Sequence, residues 1–197
     1  MNPDGYAYTW SNDRLWRKNR KKYNGEKCYG VDLNRNFDDH FGGIGSSGIP
    51  CSQIYRGPSP ASEPETKATQ AAIINLVKKA RLKVLFSIHS YSQLWMHPHG
   101  WSNELPKEAQ ELKRVSIIGM KALTAVHGTK YKFGPIYATI YPVAGNTIDF
   151  AYKNGIVYSF TLELRDKGRY GFLLPEDQIL PTSEETWAGL LASTLAI

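Results

Sequence analysis

Two residues that could carry out metal or acid–base chemistry stand on short apolar segments of the sequence. His89 closes the apolar, β-branched run 84–89, and Glu163 lies in the alternating segment 157–165. Ligand sites in α/β sheets favour the carboxyl ends of strands, so His89 is a candidate ligand as well as a structural histidine. The strand face opposite Glu163 is apolar, a setting that can raise the pKa of a carboxylate towards that of a general base. The alternative for Glu163 is an ion pair with Arg165 on the same face.

A second group of residues suits the binding of an anion. Arg14 and Arg17 are three positions apart, and Asn34 and Arg35 are adjacent. Guanidinium groups bind carboxylates through paired hydrogen bonds, so converging arginines would suit an anionic substrate or a developing oxyanion. Tyr141 stands at the start of a loop from which it could donate a hydrogen bond to a ligand. Each of these residues could equally be a surface or packing residue.

Alternating helices and strands are predicted to position these side chains. The sequence at 62–65 (SEPE) has the pattern of a capping box with an early proline, which predicts a helix start. Asn-Pro and Asp-Gly favour turns, so residues 2–5 are predicted to form a turn in a loop-rich region that extends to about residue 60. The order of the elements indicates an α/β layer fold. Helices are predicted at about 63–80, 106–126 and 182 to the end, and strands at about 84–89 and 157–165.

Composition restricts the class of protein. The chain has 197 residues, of which 42% are hydrophobic and 21% charged, so one globular domain spanning 1–197 is expected. The sequence holds no run of about 18 apolar residues, so we expect no membrane-spanning segment. The net charge of +6 includes a basic run at 14–22, for which binding to a polyanion is one interpretation. The other basic residues are scattered without a nucleic-acid-binding signature, so nucleic acid is not expected as a partner.

The chain has two cysteines, Cys28 and Cys51. A disulfide between them would stabilise the fold by about 3 kcal/mol on the chain-entropy argument. Two free thiols in an intracellular protein are the alternative, and two cysteines by themselves leave both open.

Six short motifs follow one another along the chain. They are 2–5 (NPDG), 14–18 (RLWRK), 30–36 (GVDLNRN), 88–93 (IHSYSQ), 162–166 (LELRD) and 168–174 (GRYGFLL). In this order they resemble the zinc metallocarboxypeptidases of the pancreatic A/B type, over nearly the whole chain. The resemblance implies the C-terminal portion of a carboxypeptidase catalytic domain: a mixed β-sheet flanked by helices, with the N-terminal strands missing. It also implies a secreted, extracellular hydrolase that acts on peptide or protein C-termini, with an upstream pro-segment as a possible partner.

The resemblance assigns roles to individual residues. His89 corresponds to the third zinc ligand, and Glu163 to the general base that activates a zinc-bound water. Arg17 corresponds to the residue that polarises the scissile carbonyl and stabilises the oxyanion. Cys28 and Cys51 correspond to a disulfide pair. Substrate contacts are implied for Asn34, Arg35 and Tyr141, which would hold the C-terminal carboxylate, and for the outlying Arg14 and Tyr91.

The resemblance also suggests which C-terminal residue is preferred. Ile148 stands at the pocket floor, where the basic-specific branch of the family carries an acidic residue. An apolar floor would favour aromatic or branched aliphatic residues, because a buried cation would have no counter-charge. Asn146 replaces the small residue that is usual at its position.

The expected set of zinc ligands is incomplete. A catalytic zinc usually takes three protein ligands and a water, and the family supplies the first two from an upstream His-x-x-Glu motif. None of the five histidines in this sequence is followed by glutamate three positions later. His97 and His99 are an alternative ligand pair. We therefore expect a truncated chain with one zinc ligand, which by itself binds zinc poorly, catalyses little and folds marginally.

Two functions compete at this level. The first is a zinc carboxypeptidase of A-like preference, and the second is a non-catalytic carboxylate- or peptide-binding module derived from one. Retention of Glu163, Arg17 and His89 argues against the second, because a binding module needs neither a base nor an oxyanion partner.

Overall fold

The computed structural model describes residues 2–197, and its elements follow the predicted α/β order. The helix predicted at about 106–126 is closed by Gly128, which adopts the left-handed conformation that ends many helices. The final helix begins slightly earlier than predicted. The helices are α1 Pro3–Ser11, α2 Pro64–Lys78, α3 Ala109–His127, α4 Ile136–Thr139, α5 Thr147–Lys153 and α6 Ile179–Leu195. The strands are β1 Val84–Ser90, β2 Leu94–His97, β3 Lys132–Pro135 and β4 Tyr158–Leu164, and short 3-10 helices lie at Leu33–Arg35, Gly171–Leu173 and Glu176–Gln178.

The turn predicted at residues 2–5 is wrong, because these residues begin α1. The Asn2 side chain caps the helix by accepting a hydrogen bond from the Gly5 backbone N at 3.1 Å, and Pro3 occupies the first turn. Asparagine and proline are favoured in turns and also at helix starts, and the capping bond selects the helix. The region between α1 and α2 is mainly loop, as predicted.

The capping box predicted at 62–65 is replaced by a different polar network. Helix α2 begins at Pro64, as the early proline predicted, and Glu63 precedes it. The Ser62 hydroxyl donates to Glu63 Oε1 at 2.7 Å, and Asn19 Nδ2 donates to Glu63 Oε2 at 2.7 Å. Because the Glu63 side chain is fully buried, these bonds satisfy a carboxylate that water cannot reach. The network ties the loop at residue 19 to the start of α2.

The four strands form one mixed sheet in the order β1-β4-β2-β3. Strands β1 and β4 are parallel, and their register places His89 opposite Glu163. On its other side β4 pairs antiparallel with β2, where Leu94 lies opposite Glu163. Strand β4, which carries Glu163, therefore has neighbours on both sides. Strand β1, which carries His89, is an outer strand of this sheet.

Helices cover both faces of the sheet. The predicted alternation along β4 is confirmed, since Phe160 and Leu162 point into one buried cluster beneath α3 and α6. That cluster consists of Trp95, Leu112, Val115, Leu123, Phe160 and Leu162. A second cluster, against which Leu85 of β1 packs, joins α2 and α5 and consists of Phe37, Ile73, Phe150, Ala151 and Ile156. Successive residues of a strand point to opposite faces, so the two clusters sandwich the sheet.

Cys28 and Cys51 form a disulfide, with their Cα atoms 5.1 Å apart. The bond closes the loop between α1 and α2, which contains little regular structure. The alternative of two free thiols is therefore excluded. None of the helices formed by residues 2–197 is both long and apolar enough to cross a membrane.

Candidate active site

A pocket of about 260 Å³ opens where the parallel strands β1 and β4 reach their carboxyl ends. This is the place where α/β sheets commonly bind ligands. Seven of the predicted site residues line it: Arg17, Asn34, Arg35, His89, Tyr91, Tyr141 and Glu163. Its apolar wall consists of Met96, Ile136, Ile140, Val143 and Phe172.

His89 and Glu163 are neighbours across the β1–β4 ladder. Ser87, two positions earlier on the same strand, has its hydroxyl 2.7 Å from His89 Nε2. Burial, together with Arg17, lowers the pKa of His89 to about 4, so the imidazole is neutral at pH 7. Burial raises the pKa of Glu163 to about 7, although the positive charge of Arg17 lowers it in part. Such a carboxylate can exchange a proton near neutral pH, as a general base must.

Arg17 is held by Asp32. The guanidinium donates from Nε at 3.0 Å and from Nη2 at 2.8 Å, both to Asp32 Oδ2. Burial by itself lowers the pKa of Arg17, but Asp32 raises it, and the resulting pKa lies above the ordinary value of arginine. Arg17 is therefore a permanent cation at the wall of the pocket.

Asn34 and Arg35 reach the pocket from the 3-10 helix Leu33–Arg35. Arg35 is 2% exposed, and its guanidinium donates from Nε to the Gly45 backbone O at 2.7 Å. Gly145 lies directly against Arg35: its φ is +71°, and a Cβ atom there would be 2.5 Å from the Arg35 carbonyl oxygen. A residue with a side chain would push the two loops apart. The glycine thus allows the loop of Tyr141, whose ring centre is 5.9 Å from the Arg35 guanidinium carbon, to approach.

Two predicted substrate contacts lie outside the pocket lining. Arg14 lies in an adjoining cleft, which shares Arg17 and Phe172 with the pocket, and Arg14 Nη2 donates to the Phe172 carbonyl O at 2.9 Å. Ile148 is 1% exposed and packs in a cluster with Met96, Ile136 and Val143. It supports the apolar wall from behind.

Asn146 lines the pocket and also caps helix α5. Its Oδ1 accepts from the backbone N atoms of Ile148 and Asp149, at 3.0 Å and 2.9 Å. Its Nδ2 donates to Asp149 Oδ2 at 2.6 Å, and Asp149 also accepts from the Gly100 backbone N at 2.9 Å. The amide is thus fixed at both ends, and Asn146 adds a polar residue to the pocket lining beside the apolar wall.

The alternative ion pair between Glu163 and Arg165 is wrong. Arg165 Nε donates to Glu185 Oε1 at 2.8 Å, and Arg165 Nη1 donates to Gln178 Oε1 at 2.7 Å. Arg165 therefore joins β4 to α6, and Glu163 faces the pocket.

Besides Arg14 and Arg17, three further cations of the basic run 14–22 are engaged within the protein. Lys18 is buried and donates from Nζ to the Pro50 carbonyl O at 2.7 Å. Arg20 stacks against Tyr8, with its guanidinium carbon 3.6 Å from the ring centre. Lys21 Nζ is 3.8 Å from Glu63 Oε1. These contacts weaken the interpretation of the run as a polyanion-binding surface.

The residues of the pocket fit only part of a zinc site. His89 is neutral, which is the metal-binding form of imidazole, and its Nε2 is held by Ser87, which leaves Nδ1 for a metal. However, residues 2–197 contain no group of three or more His, Cys, Asp or Glu side chains placed to hold a metal ion. The alternative pair His97 and His99 does not form such a group, and His97 packs against Phe133. A complete catalytic zinc site, with three protein ligands, is not formed by these residues.

The sequence analysis did not identify three residues that form hydrogen bonds with predicted site residues. Asp32 binds Arg17, Thr147 binds Asn34, and Ser87 binds His89. Ser87 could have been found from its spacing, because residues two apart on a strand share a face. Asp32 is an acidic residue between the basic run 14–22 and Arg35, so it could also have been identified from the sequence as a partner for an arginine. Thr147 could not be found, since it is 113 residues from its partner.

Comparison with known proteins identifies the family to which the chain is similar. The pattern of the zinc carboxypeptidase family matches residues 1–189. The chain is 50% identical over 191 residues to carboxypeptidase A1 of Sus scrofa, and 52% identical over 190 residues to carboxypeptidase A5 of Macaca fascicularis. Each match covers 96% of this chain, but only 45% and 43% of those relatives, so the chain spans less than half of their length.

Solved structures show the same relationship. The structure of bovine thrombin-activatable fibrinolysis inhibitor in complex with tick carboxypeptidase inhibitor is similar with a TM-score of 0.95 and 42% identity, covering 99% of this chain and 66% of that one. Carboxypeptidase A from Helicoverpa armigera is similar with a TM-score of 0.91 and 33% identity, covering 99% and 49%. On the evidence of its motifs, its pocket and these relatives, the chain belongs to the zinc carboxypeptidase family.

Proposed function

We propose that this chain supplies the substrate-binding and general-base part of a zinc metallocarboxypeptidase that releases C-terminal residues from peptides. Glu163 is the general base, Arg17 the group that stabilises the developing oxyanion, and His89 one zinc ligand. The observation that carries the proposal is the convergence of two arginines and an asparagine on the pocket that also contains Glu163 and His89. An exopeptidase must recognise a free terminal carboxylate, which Asn34 and Arg35 suit, and must stabilise an oxyanion, which Arg17 suits.

The chemistry of the chain's own residues supports this assignment. Glu163 has a pKa of about 7 because it is buried, so its carboxylate can take a proton from water near neutral pH. Arg17 remains charged and lies on the same pocket, where negative charge on a carbonyl oxygen would develop.

The apolar wall supports a preference for aromatic or aliphatic C-terminal residues. That wall is formed by Met96, Ile136, Ile140, Val143 and Phe172, with Ile148 behind it. A lysine side chain would bury its ammonium group against them without a counter-charge. We expect N-acetyl-L-phenylalanine to bind at least about tenfold more tightly than N-acetyl-L-lysine.

Carboxylate recognition is the first property to test. Isothermal titration would compare N-acetyl-L-phenylalanine with its amide, which differs only in the terminal group. We expect the acid to bind at least about tenfold more tightly, and Arg35→Gln to reduce this ratio to about one. Equal affinities in the unsubstituted protein would contradict the proposed function.

A second candidate function is a non-catalytic carboxylate- or peptide-binding module. It is favoured by one observation, namely that residues 2–197 hold no group of three metal-ligating side chains. Zinc bound per chain, determined by elemental analysis after dialysis against a zinc-buffered solution, measures how much of a metal site this chain supplies. We expect much less than one zinc per chain, and no further loss in His89→Ala. About one zinc, lost in His89→Ala, would show that the chain supplies further ligands, and a peptide hydrolysis assay with Glu163→Gln as control would follow.

Secretion is also part of the proposal. It is supported by the Cys28–Cys51 disulfide, because such bonds persist in oxidising compartments. The expected partners are peptide or protein C-termini, and an upstream pro-segment is a further candidate.

A further inference from the structure

One carboxylate contacts three donor residues that line the pocket, Arg17, Asn34 and Arg35, which we call the donor set. Asp32 is 4% exposed. Its Oδ2 accepts from Arg17 Nε and Nη2 at 3.0 Å and 2.8 Å, and lies 3.7 Å from Arg35 Nη1. Its Oδ1 accepts from the Asn34 backbone N at 3.1 Å.

These contacts fix geometry as well as charge. Both bonds from Arg17 leave one edge of its guanidinium and meet at a single oxygen, so they define the plane of the group and leave the Nη1 side for a ligand. The Oδ1 bond caps the 3-10 helix Leu33–Arg35, from which Asn34 and Arg35 reach the pocket.

We propose that Asp32 is the positioning residue of the donor set: it holds Arg17, the oxyanion group, and the turn that carries the carboxylate-binding Asn34 and Arg35 in one binding arrangement. This proposal rests on the proposed function, since it concerns the same ligand. Asp32 does not itself contact the substrate in this role. It acts through the three donors that do.

A simple counter-charge would behave in the opposite way. If Asp32 only neutralised the arginines, its removal would increase the positive charge around the ligand and tighten carboxylate binding. If Asp32 positions them, its removal loosens the donors, and carboxylate binding weakens although the site has become more positive. The sign of the change therefore separates the two roles.

The test compares Asp32→Asn, Asp32→Glu and Asp38→Asn in the full chain. Asp38 lies in the same loop but is exposed, so its substitution is a control for the change in charge. The readout is the ratio of the affinities for N-acetyl-L-phenylalanine and its amide. We expect this ratio to fall about tenfold in Asp32→Asn and also in Asp32→Glu, which keeps the charge but displaces it by one methylene, and to stay unchanged in Asp38→Asn. A ratio that rises in Asp32→Asn, or stays at the original value in Asp32→Glu, would overturn the proposal.

A measurement without ligand keeps this result separate from the proposed function. The Arg17 Nε–H resonance, assigned with Arg17→Lys, should exchange slowly with solvent in the unsubstituted protein and in Asp38→Asn, and quickly in both Asp32 variants. If the unsubstituted protein does not discriminate the acid from the amide, the proposed function fails, and this resonance still decides the role of Asp32. Equal exchange rates in all four proteins would refute positioning. Thermal unfolding curves show whether each variant folds. If Asp32→Asn does not fold, the affinity ratio and the exchange rate of Asp32→Glu decide whether Asp32 is a positioning residue.

Discussion

Asn34 Oδ1 accepts two hydrogen bonds from Thr147, one from the backbone N at 3.0 Å and one from Oγ1 at 2.9 Å. The backbone N–H can only donate, so the oxygen of the Asn34 amide must face Thr147. Its NH2 group then faces away, and Asn34 lines the pocket. The start of helix α5 thus determines that Asn34 offers donors to a ligand.

Replacing Asn34 by aspartate should weaken carboxylate binding. Asn34→Asp keeps the acceptor for Thr147 but replaces the NH2 donors by a negatively charged oxygen, which repels a substrate carboxylate. We expect the affinity for N-acetyl-L-phenylalanine to fall more than about tenfold, with little change for the amide. Calorimetric titration measures both, and Asn103→Asp, on an exposed loop, is the matched control. Equal losses for the two ligands would point to a general distortion of the pocket.

Loss of the disulfide should destabilise the fold. The Cys28–Cys51 bond spans 23 positions, and the chain-entropy argument gives a contribution of about 3 kcal/mol to the free energy of unfolding. Urea denaturation of the Cys28→Ser/Cys51→Ser double variant should show a decrease of this size. A reducing agent should produce a similar decrease in the unsubstituted protein and none in the double variant. An unchanged denaturation midpoint in the double variant would show that the surrounding loops are held by other contacts.

Asp149 should titrate well above the ordinary range of aspartate. Burial raises its pKa to about 6, although bonds from Asn146 and Gly100 lower it in part and Asp39 raises it further. His99 Nδ1 also lies 3.9 Å from its carboxylate. Because the folded pKa is raised, the folded state holds this proton more tightly than the unfolded chain does. Its contribution to stability is complete below about pH 4 and is lost as the pH rises through about 6.

Carbon-13 NMR of the carboxyl groups measures this pKa directly. The Asp149 resonance is identified by its absence in Asp149→Asn, and we expect a midpoint near pH 6. The same resonance in the urea-unfolded protein supplies the reference titration. An Asp149 midpoint in the folded protein equal to that of the unfolded chain would mean that water reaches the carboxylate.

The buried ion pair between Arg165 and Glu185 should be costly to break. Glu185 is 0% exposed and accepts from Arg165 Nε at 2.8 Å and from Thr129 Oγ1 at 2.6 Å. Glu185→Ala would leave the guanidinium without its counter-charge, so we expect the free energy of unfolding to fall by about 3 kcal/mol or more. The adjacent Glu184→Ala, at an exposed position, should change it by less than about 1 kcal/mol. Similar small effects of both variants in urea denaturation would show that Arg165 finds another partner.

Local patterns in the sequence predicted five of the ten α-helices and strands formed by residues 2–197, namely α2, α3, α6, β1 and β4. The alternation around Glu163 predicted β4, and the apolar run ending at His89 predicted β1. Both predictions were possible because the spacing of apolar residues along a segment indicates whether it forms a strand and which side is buried. Prediction from local patterns was wrong where the same residue pattern is compatible with two different structures. Asn2 and Pro3 begin a helix although they also suit a turn, and Ser62 bonds to Glu63 rather than capping α2.

The sequence by itself determined the α/β class and the residues that converge on the pocket, since motifs and periodicity are local properties. Only the tertiary structure decided which residues support them. Asp32 holds Arg17 and Thr147 orients Asn34, while Arg165 turns away from Glu163 to bind Glu185. These partners are separated by between 15 and 113 positions, so their contact depends on how loops and helices pack against the sheet. A hydrogen bond requires atoms about 3 Å apart, and only the packed chain sets distances of that size.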